Sequence, residues 1–244
     1  MIRILLFLLV VTTRCFAQDG GYYFGLKGGP SIGFQSWNDS KRSPIFRYHG
    51  AVYLETLGDE STVFAQVGYH VRGSALRNRS SFAYDVNGQE VRINPFVVGF
   101  EFRNISLALA MKKKYAFGGG DSKAYYAFGL RGEYTLNTNL QSIDSTNVPV
   151  SFALYRPFEE RVRHFNGGLY LGGGLEFPFS DYVAGILELN ICPDFTKQYF
   201  REPLFNVTDP YTGGRINVEA QSIRNVSIEI SLGLRFTRRI EYID

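Results

Sequence analysis

The chain has 244 residues, a formal net charge of +3, 45% hydrophobic residues and two cysteines. The charge is too small to indicate a nucleic-acid partner, and the length predicts one domain or one β-barrel. Beyond the N-terminal segment no stretch approaches 18 consecutive apolar residues, so the sequence predicts no membrane-spanning helix. A closed β-barrel is then the one backbone that could cross lipid.

The N terminus predicts a secretory signal peptide over residues 1–17. Arg3 gives it a positive start, residues 4–11 form a short apolar run, and residues 15–17 form a cleavage region. Such a segment is too short to span a membrane. We expect residues 18–244 to form the mature chain as one outer-membrane β-barrel. Its single remaining cysteine excludes an internal disulfide.

The last strand shows the governing pattern most clearly. From Asn225 to Phe236, apolar and polar residues alternate without a break. Side chains of a β-strand alternate between its two faces, so one face is entirely apolar and the other carries Ser, Gly, Glu229 and Arg235. Apolar residues toward lipid, polar residues toward the lumen and an aromatic at the interface are typical of a transmembrane β-barrel strand.

The same alternation recurs along the chain and predicts an all-β fold, an eight-stranded antiparallel transmembrane β-barrel. The approximate strand ranges are 22–34, 46–57, 62–87, 91–112, 125–137, 165–179, 182–192 and 225–236. In the fourth strand the parity of the apolar residues changes between Phe102 and Ile105. A β-bulge near Arg103 and Asn104 would restore the facing, which places Phe100 and Phe102 on the same face as Ile105.

The connections between strands differ in length in an ordered way. Those after the second and sixth strands are short, the one after the fourth is moderate, and most of the others are long. Asn87-Gly88 and residues 209–214 are typical of hairpin tips within the long connections. Bacterial outer-membrane barrels have short periplasmic turns and longer extracellular loops, so we expect long extracellular hairpins and both termini in the periplasm.

Charged residues are confined to one face of the predicted strands. Eight strands leave an interior just wide enough for side chains, and buried charges need partners, so we predict a polar network that fills the lumen. Its predicted members are Lys27, Arg47, His49, Glu55, His70, Arg72, Lys112, Arg131, Glu133, Glu176, Glu188, Glu229 and Arg235.

The opposite face of the strands is uncharged, which favours lipid as its environment. A secreted soluble β-sandwich or lipocalin-like barrel is the alternative, but it would not need a second continuous surface without Lys or Glu over eight strands. The predicted lipid-facing residues include Val63, Leu107, Leu130, Leu171, Leu187, Ile230, Leu232 and Phe236.

Several segments of the chain resemble those of a known group of proteins. Residues 25–29, 105–112, 125–129, 172–176 and 232–236 are similar to strands of Bacteroidetes outer-membrane barrels of the PorT family. The resemblance covers nearly all of the mature chain. It implies a cell outer-membrane barrel with a part in type IX protein secretion, which would contact other outer-membrane or periplasmic secretion components.

The residues themselves leave three functions open. The first is a non-enzymatic barrel that serves a secretion or assembly machine through partner contacts; the second is a stand-alone structural or adhesive barrel; the third is a lipid A-modifying enzyme. His49, His70 and Glu55 could form acid–base machinery, or they could belong to a packed lumen. No nucleophile stands at a recognisable spacing and no cluster has metal-ligand spacing. We favour the first function and expect no catalytic residues, no bound metal and no cofactor.

The predicted outer loops are basic. Phosphates of lipopolysaccharide, an outer-membrane lipid, would be a natural counter-charge, and ordinary solvated loops are the alternative. The basic loop residues are Arg77, Arg79, Arg156, Arg161, Arg163 and His164.

Overall fold

The computed structural model describes residues 21–38, 41–78, 81–84, 89–93, 95–118, 121–142, 157–208 and 213–239. The predicted signal peptide, residues 1–17, lies outside these ranges. Among the described residues, no helix is both long and apolar enough to cross a membrane.

Thirteen strands form within the described residues. They are β1 (Gly21–Trp37), β2 (Ser43–Thr56), β3 (Ser61–Asn78), β4 (Ser81–Tyr84), β5 (Glu90–Ile93), β6 (Phe96–Ala116), β7 (Lys123–Thr138), β8 (Phe165–Pro178), β9 (Val183–Pro193), β10 (Tyr199–Arg201), β11 (Leu204–Thr208), β12 (Arg215–Val218) and β13 (Gln221–Arg239). Strands β1, β2, β3, β6, β7, β8, β9 and β13 pair in that order, and β1 pairs with β13. Every pair is antiparallel, so the predicted eight-stranded barrel is confirmed.

The two ends of the barrel differ. The end that holds the first residue of β1 and the last residue of β13 also holds three tight turns, and we call it the terminal end. The opposite end, called the loop end, carries the β4–β5 and β11–β12 hairpins, and β10 extends the sheet beside β13. Residues 87–88, the first predicted tip, and residues 209–212 of the second, predicted over 209–214, lie outside the described residues. On either side of them Tyr84 pairs with Glu90 and Thr208 with Arg215.

The outer wall is an apolar band between two rings of aromatic residues. On β7, Tyr126 faces outward near the terminal end and Tyr134 near the loop end, eight positions apart. Eight steps at about 3.3 Å per residue and a strand tilt of about 40° separate the two rings by about 20 Å across the membrane. That height is close to the apolar band of outer-membrane barrels, about 25 Å, so lipid is the environment that this wall fits.

The predicted lipid-facing residues all lie on this outer wall. Leu107, Leu130, Leu187, Ile230 and Leu232 are exposed there. Val63, Leu171 and Phe236 are half-buried between their neighbours on the same surface.

Strand β6 runs without a bulge, so the bulge predicted within it is wrong. All of its residues from Lys113 to Phe96 pair with β3 in one register. The extra residue belongs to β7 instead, where the partner of Arg103 is Asn137 and the partner of Asn104 is Thr135. Because the parity of β6 never changes, Phe100 and Phe102 point into the barrel, where both are 0% exposed.

At the loop end, β3 passes beneath the inner face of β1. The Ser31 hydroxyl on β1 donates to the Val71 carbonyl oxygen on β3 at 3.3 Å. Gly33 lies so close to Gly73 that a Cβ atom at Gly33 would be 2.7 Å from the Gly73 carbonyl oxygen. The β3–β6 pair therefore leans across the mouth of the barrel and narrows it.

Candidate functional site

The candidate site is the lumen, where charges of both signs meet. Among the described residues, six basic side chains and six carboxylates form ion pairs with one another inside the barrel. The basic members are Lys27, Arg72, Lys112, Lys114, Arg131 and Arg235. The acidic members are Glu55, Glu133, Glu176, Glu188, Asp194 and Glu229.

The layer nearest the terminal end joins three cations to two carboxylates. Glu55 lies 2.7 Å from the Lys112 ammonium and 2.6 Å from the Lys114 ammonium. Glu176 lies 3.2 Å from Lys112 and forms a further ion pair with Arg235. Because the lysines bridge both carboxylates, removal of any one member changes the balance of all five.

The middle layer is centred on Glu188. This carboxylate forms an ion pair with Lys27. It also accepts hydrogen bonds from the Tyr125 hydroxyl at 2.6 Å, the Tyr170 hydroxyl at 2.7 Å and the Asn190 amide at 2.6 Å. Four donors around one carboxylate supply the compensation that a buried charge requires.

The third layer is a network of two arginines and three carboxylates. Arg72 lies 2.9 Å from Glu133 and 3.0 Å from Asp194. Arg131 lies 2.5 Å from Glu133 and 3.0 Å from Glu229. The guanidinium groups each span two carboxylates, as their forked donors permit, and the layer ties together strands β3, β7 and β13.

Two histidines stack beside this third layer. Their rings, His49 and His70, are 5.7 Å apart between centroids and nearly parallel at 5°. His70 Nε2 lies 2.6 Å from the Ser106 hydroxyl and His70 Nδ1 lies 2.9 Å from Glu229. A serine, a histidine and a carboxylate in this order can activate a nucleophile, but Ser106 and His70 are 0% exposed. All three side chains therefore lie inside the packed lumen.

An apolar cap closes the lumen at the loop end, and sequence reasoning missed it. Aromatic and aliphatic side chains from the barrel and from the long connections form one buried cluster there. Its members are Trp37, Val98, Phe100, Phe102, Leu140, Val162, Tyr199 and Ile223. On β6, the predicted bulge places Phe100 and Phe102 on the lipid-facing side, whereas the observed register turns them inward.

The structure places twelve of the thirteen predicted network residues in the lumen and one elsewhere. Arg47 does not join the network; it forms an ion pair with Glu101 and its side chain remains 35% exposed. The cause is the inward lean of β3 and β6, which brings the outer face of β6 under the inner face of β2. Sequence reasoning also missed Lys114, although it continues the inward parity of Lys112.

The described residues were also searched for a metal site. Within the parts of the chain that the structure describes, no group of three or more His, Cys, Asp or Glu residues could hold a metal ion.

The closed ring, the filled lumen and the apolar wall define a transmembrane β-barrel of the outer-membrane type. No family model matches the chain, and no curated protein matches its sequence. Among solved structures it is similar to the outer membrane protein OprG from Pseudomonas aeruginosa, with a TM-score of 0.47 and 9% identity over 89% of this chain and 97% of that one. It is also similar to Neisserial surface protein A, with a TM-score of 0.44 and 9% identity over 88% and 96% of the two chains. At these values the likenesses carry no functional argument.

Proposed function

We propose that this protein is a non-enzymatic, non-conducting barrel of the cell outer membrane that supports protein export through contacts with partner proteins. The proposal rests on the observation that the lumen is closed in two ways. Paired charges fill it over three layers, and the apolar cap seals the loop end. A solute or a polypeptide therefore has no route through the barrel.

A barrel without a route through it acts through its surfaces. The β11–β12 hairpin projects from the loop end and exposes Leu204 and Phe205, the latter at 72%. Exposed apolar residues on a protruding hairpin are suited to a protein partner, which could also pair with the free edges of its two strands. The partners would be other outer-membrane or periplasmic secretion components.

The resemblance of five strand segments to the PorT family supports type IX secretion as the process. In this proposal the tight turns and both termini lie in the periplasm, and the loop end faces the cell exterior. The cargo would be surface and secreted proteins, which pass through other components of the machine.

Deletion of the gene, followed by a census of secreted proteases and surface proteins, tests the proposal. Export should fail in the deletion strain and return with the wild-type gene. Complementation with Phe205→Ser should restore export only partly, whereas Phe165→Ser, at an equally exposed phenylalanine on the barrel strand β8, serves as the matched control. Intact export in the deletion strain would contradict the proposal, and a change in lipid A mass would point to an enzyme.

A second candidate is a stand-alone structural or adhesive barrel. The projecting β4–β5 and β11–β12 hairpins favour it, because they form pairs outside the barrel. The same deletion strain distinguishes the two, since an adhesive barrel predicts weaker attachment to surfaces together with normal export.

A further inference from the structure

A groove of about 530 Å³ that is lined by charged and apolar residues opens on the outer wall near the loop end. Strands β2, β3 and β6 form it, and its volume falls in the range of ligand sites. Its lining residues are Phe46, Arg47, Tyr48, Val71, Glu101 and Arg103. These charged residues belong neither to the lumen network nor to the apolar band.

The groove has a net positive charge. Arg47 binds Glu101 through Nε at 2.9 Å and through Nη2, and its Nη1 donates to the Phe46 carbonyl oxygen at 2.7 Å. A guanidinium has five N–H donors, so two donors of Arg47 remain. Arg103 is exposed and forms no ion pair with the residues that the structure describes. Two arginines against one glutamate leave a charge of +1 that suits an anion.

The groove lies at the level of lipid headgroups. Arg103 is the outward residue of β6 directly beyond Ile105, the last apolar residue of the band on that strand. Beside it, the rings of Tyr48 and Tyr69 pack with centroids 6.2 Å apart. Aromatic rings of this kind mark the boundary between hydrocarbon and headgroups.

An apolar groove of about 450 Å³ lies nearer the terminal end of the same wall, where β2, β3 and β6 line it together with β1 and with Phe236 of β13. Its outer residues include Leu26, Val52, Val67 and Leu107. Between the two grooves Gly50 of β2 faces outward, and an added Cβ there would meet nothing closer than 3.9 Å. The two grooves therefore lie in line on the wall, on either side of Gly50.

We propose that these two grooves together bind one phosphorylated glycolipid of the outer leaflet. Arg103 would bind the phosphate oxygens with forked donors, Arg47 would add a further donor, and the tyrosine rings would pack against the sugar. The acyl chain would pass Gly50 into the apolar groove, which explains why a lipid fits better than a free phosphate. The assignment to the outer leaflet rests on the proposed orientation of the barrel, whereas the site itself does not.

Native mass spectrometry of the full-length mature protein in a nonionic detergent tests the site. The probes are bis-phosphorylated lipid A, the same lipid A after phosphatase treatment, and phosphatidylglycerol. Arg103→Gln should weaken binding of the phosphorylated lipid A about tenfold or more, the loss expected for a charge-assisted hydrogen bond. Arg238→Gln, beside Tyr22 at the terminal end, is the matched control and should bind as wild type does.

A second pair of variants tests the acyl-chain path. Gly50→Leu should weaken binding of lipid A, whereas Gly132→Leu, which faces outward on β7 with open space around it, should not. Heat-modifiable migration on a gel checks that every variant folds. Unchanged binding by Arg103→Gln would overturn the proposal, as would phosphatidylglycerol binding equally well with the same dependence on Arg103. Because binding in detergent does not depend on orientation or export, either failure would leave the proposed function untouched.

Discussion

Glu55→Gln is expected to destabilise the barrel severely. Glu55 is 0% exposed, and it holds the ammonium groups of Lys112 and Lys114 and accepts a hydrogen bond from Thr62 at 2.8 Å. The amide leaves these two lysines and Arg235 around the single carboxylate of Glu176. Loss of one partner from a buried ion pair costs about 3–5 kcal/mol, a large share of the stability of an ordinary domain.

The assay is urea unfolding of the refolded protein in detergent, followed by heat-modifiable migration on a gel. Glu60→Gln is the matched control, because its carboxylate also pairs with a lysine, Lys113, but is 81% exposed. Exposed ion pairs contribute little to stability, so this variant should unfold at the same urea concentration as the wild-type protein. Adding Lys114→Met to Glu55→Gln removes the excess charge and should recover part of the loss. Equal unfolding of Glu55→Gln and Glu60→Gln would refute the view that the lumen charges are desolvated and coupled.

Four further outcomes are expected. The purified protein should form no stable channel in planar bilayers, because the lumen is filled and capped; reproducible single-channel steps would contradict this. Leu232→Arg, on the lipid-facing wall, should lower the free energy of unfolding by about 2–4 kcal/mol, whereas Leu204→Arg on the β11 hairpin should be tolerated; urea unfolding in lipid vesicles compares them. Gly33→Ala should destabilise the loop end, since its Cβ would lie 2.7 Å from the Gly73 oxygen, and Gly132→Ala should not; limited proteolysis would show equal cleavage if the close approach is wrong. Finally, the mature protein should fractionate with outer membranes, and recovery as a soluble periplasmic protein would exclude the proposed location.

The strands and the direction in which their side chains face could be predicted from the sequence, because alternate residues of a membrane barrel strand face lipid and lumen and therefore differ in polarity. In β13, Glu229 and Arg235 alternate with Ile230 and Leu234, and only one facing keeps charge out of lipid. The same logic identifies Lys112 on β6 and Arg131 on β7. What the pattern reports is the polarity of each face, and in these strands polarity alone decides the register.

The cap could not be predicted, because a dry interior and a lipid bilayer select the same residue types. Phe100 and Phe102 read as lipid-facing, and only the pairing of β6 with β3 shows that they point inward. The prediction that Arg47 joins the lumen network is wrong for a related reason. Its parity is inward, but parity does not report that β3 and β6 lean across the mouth, which depends on the contact of Gly33 with Gly73 between distant strands.

The charges of the lumen also bear on how such a chain reaches its membrane. A protein bound for the outer membrane first crosses the inner one, where apolar segments of about 20 residues are retained as helices. In β6, the apolar outward residues from Ile105 to Met111 are followed at once by the lumen residues Lys112 and Lys114, with Lys113 between them on the outer face. A lysine at the centre of such a helix opposes insertion by about 2.5–3.5 kcal/mol. We therefore expect the side chains that stabilise the barrel also to oppose retention of its strands as helices in the inner membrane.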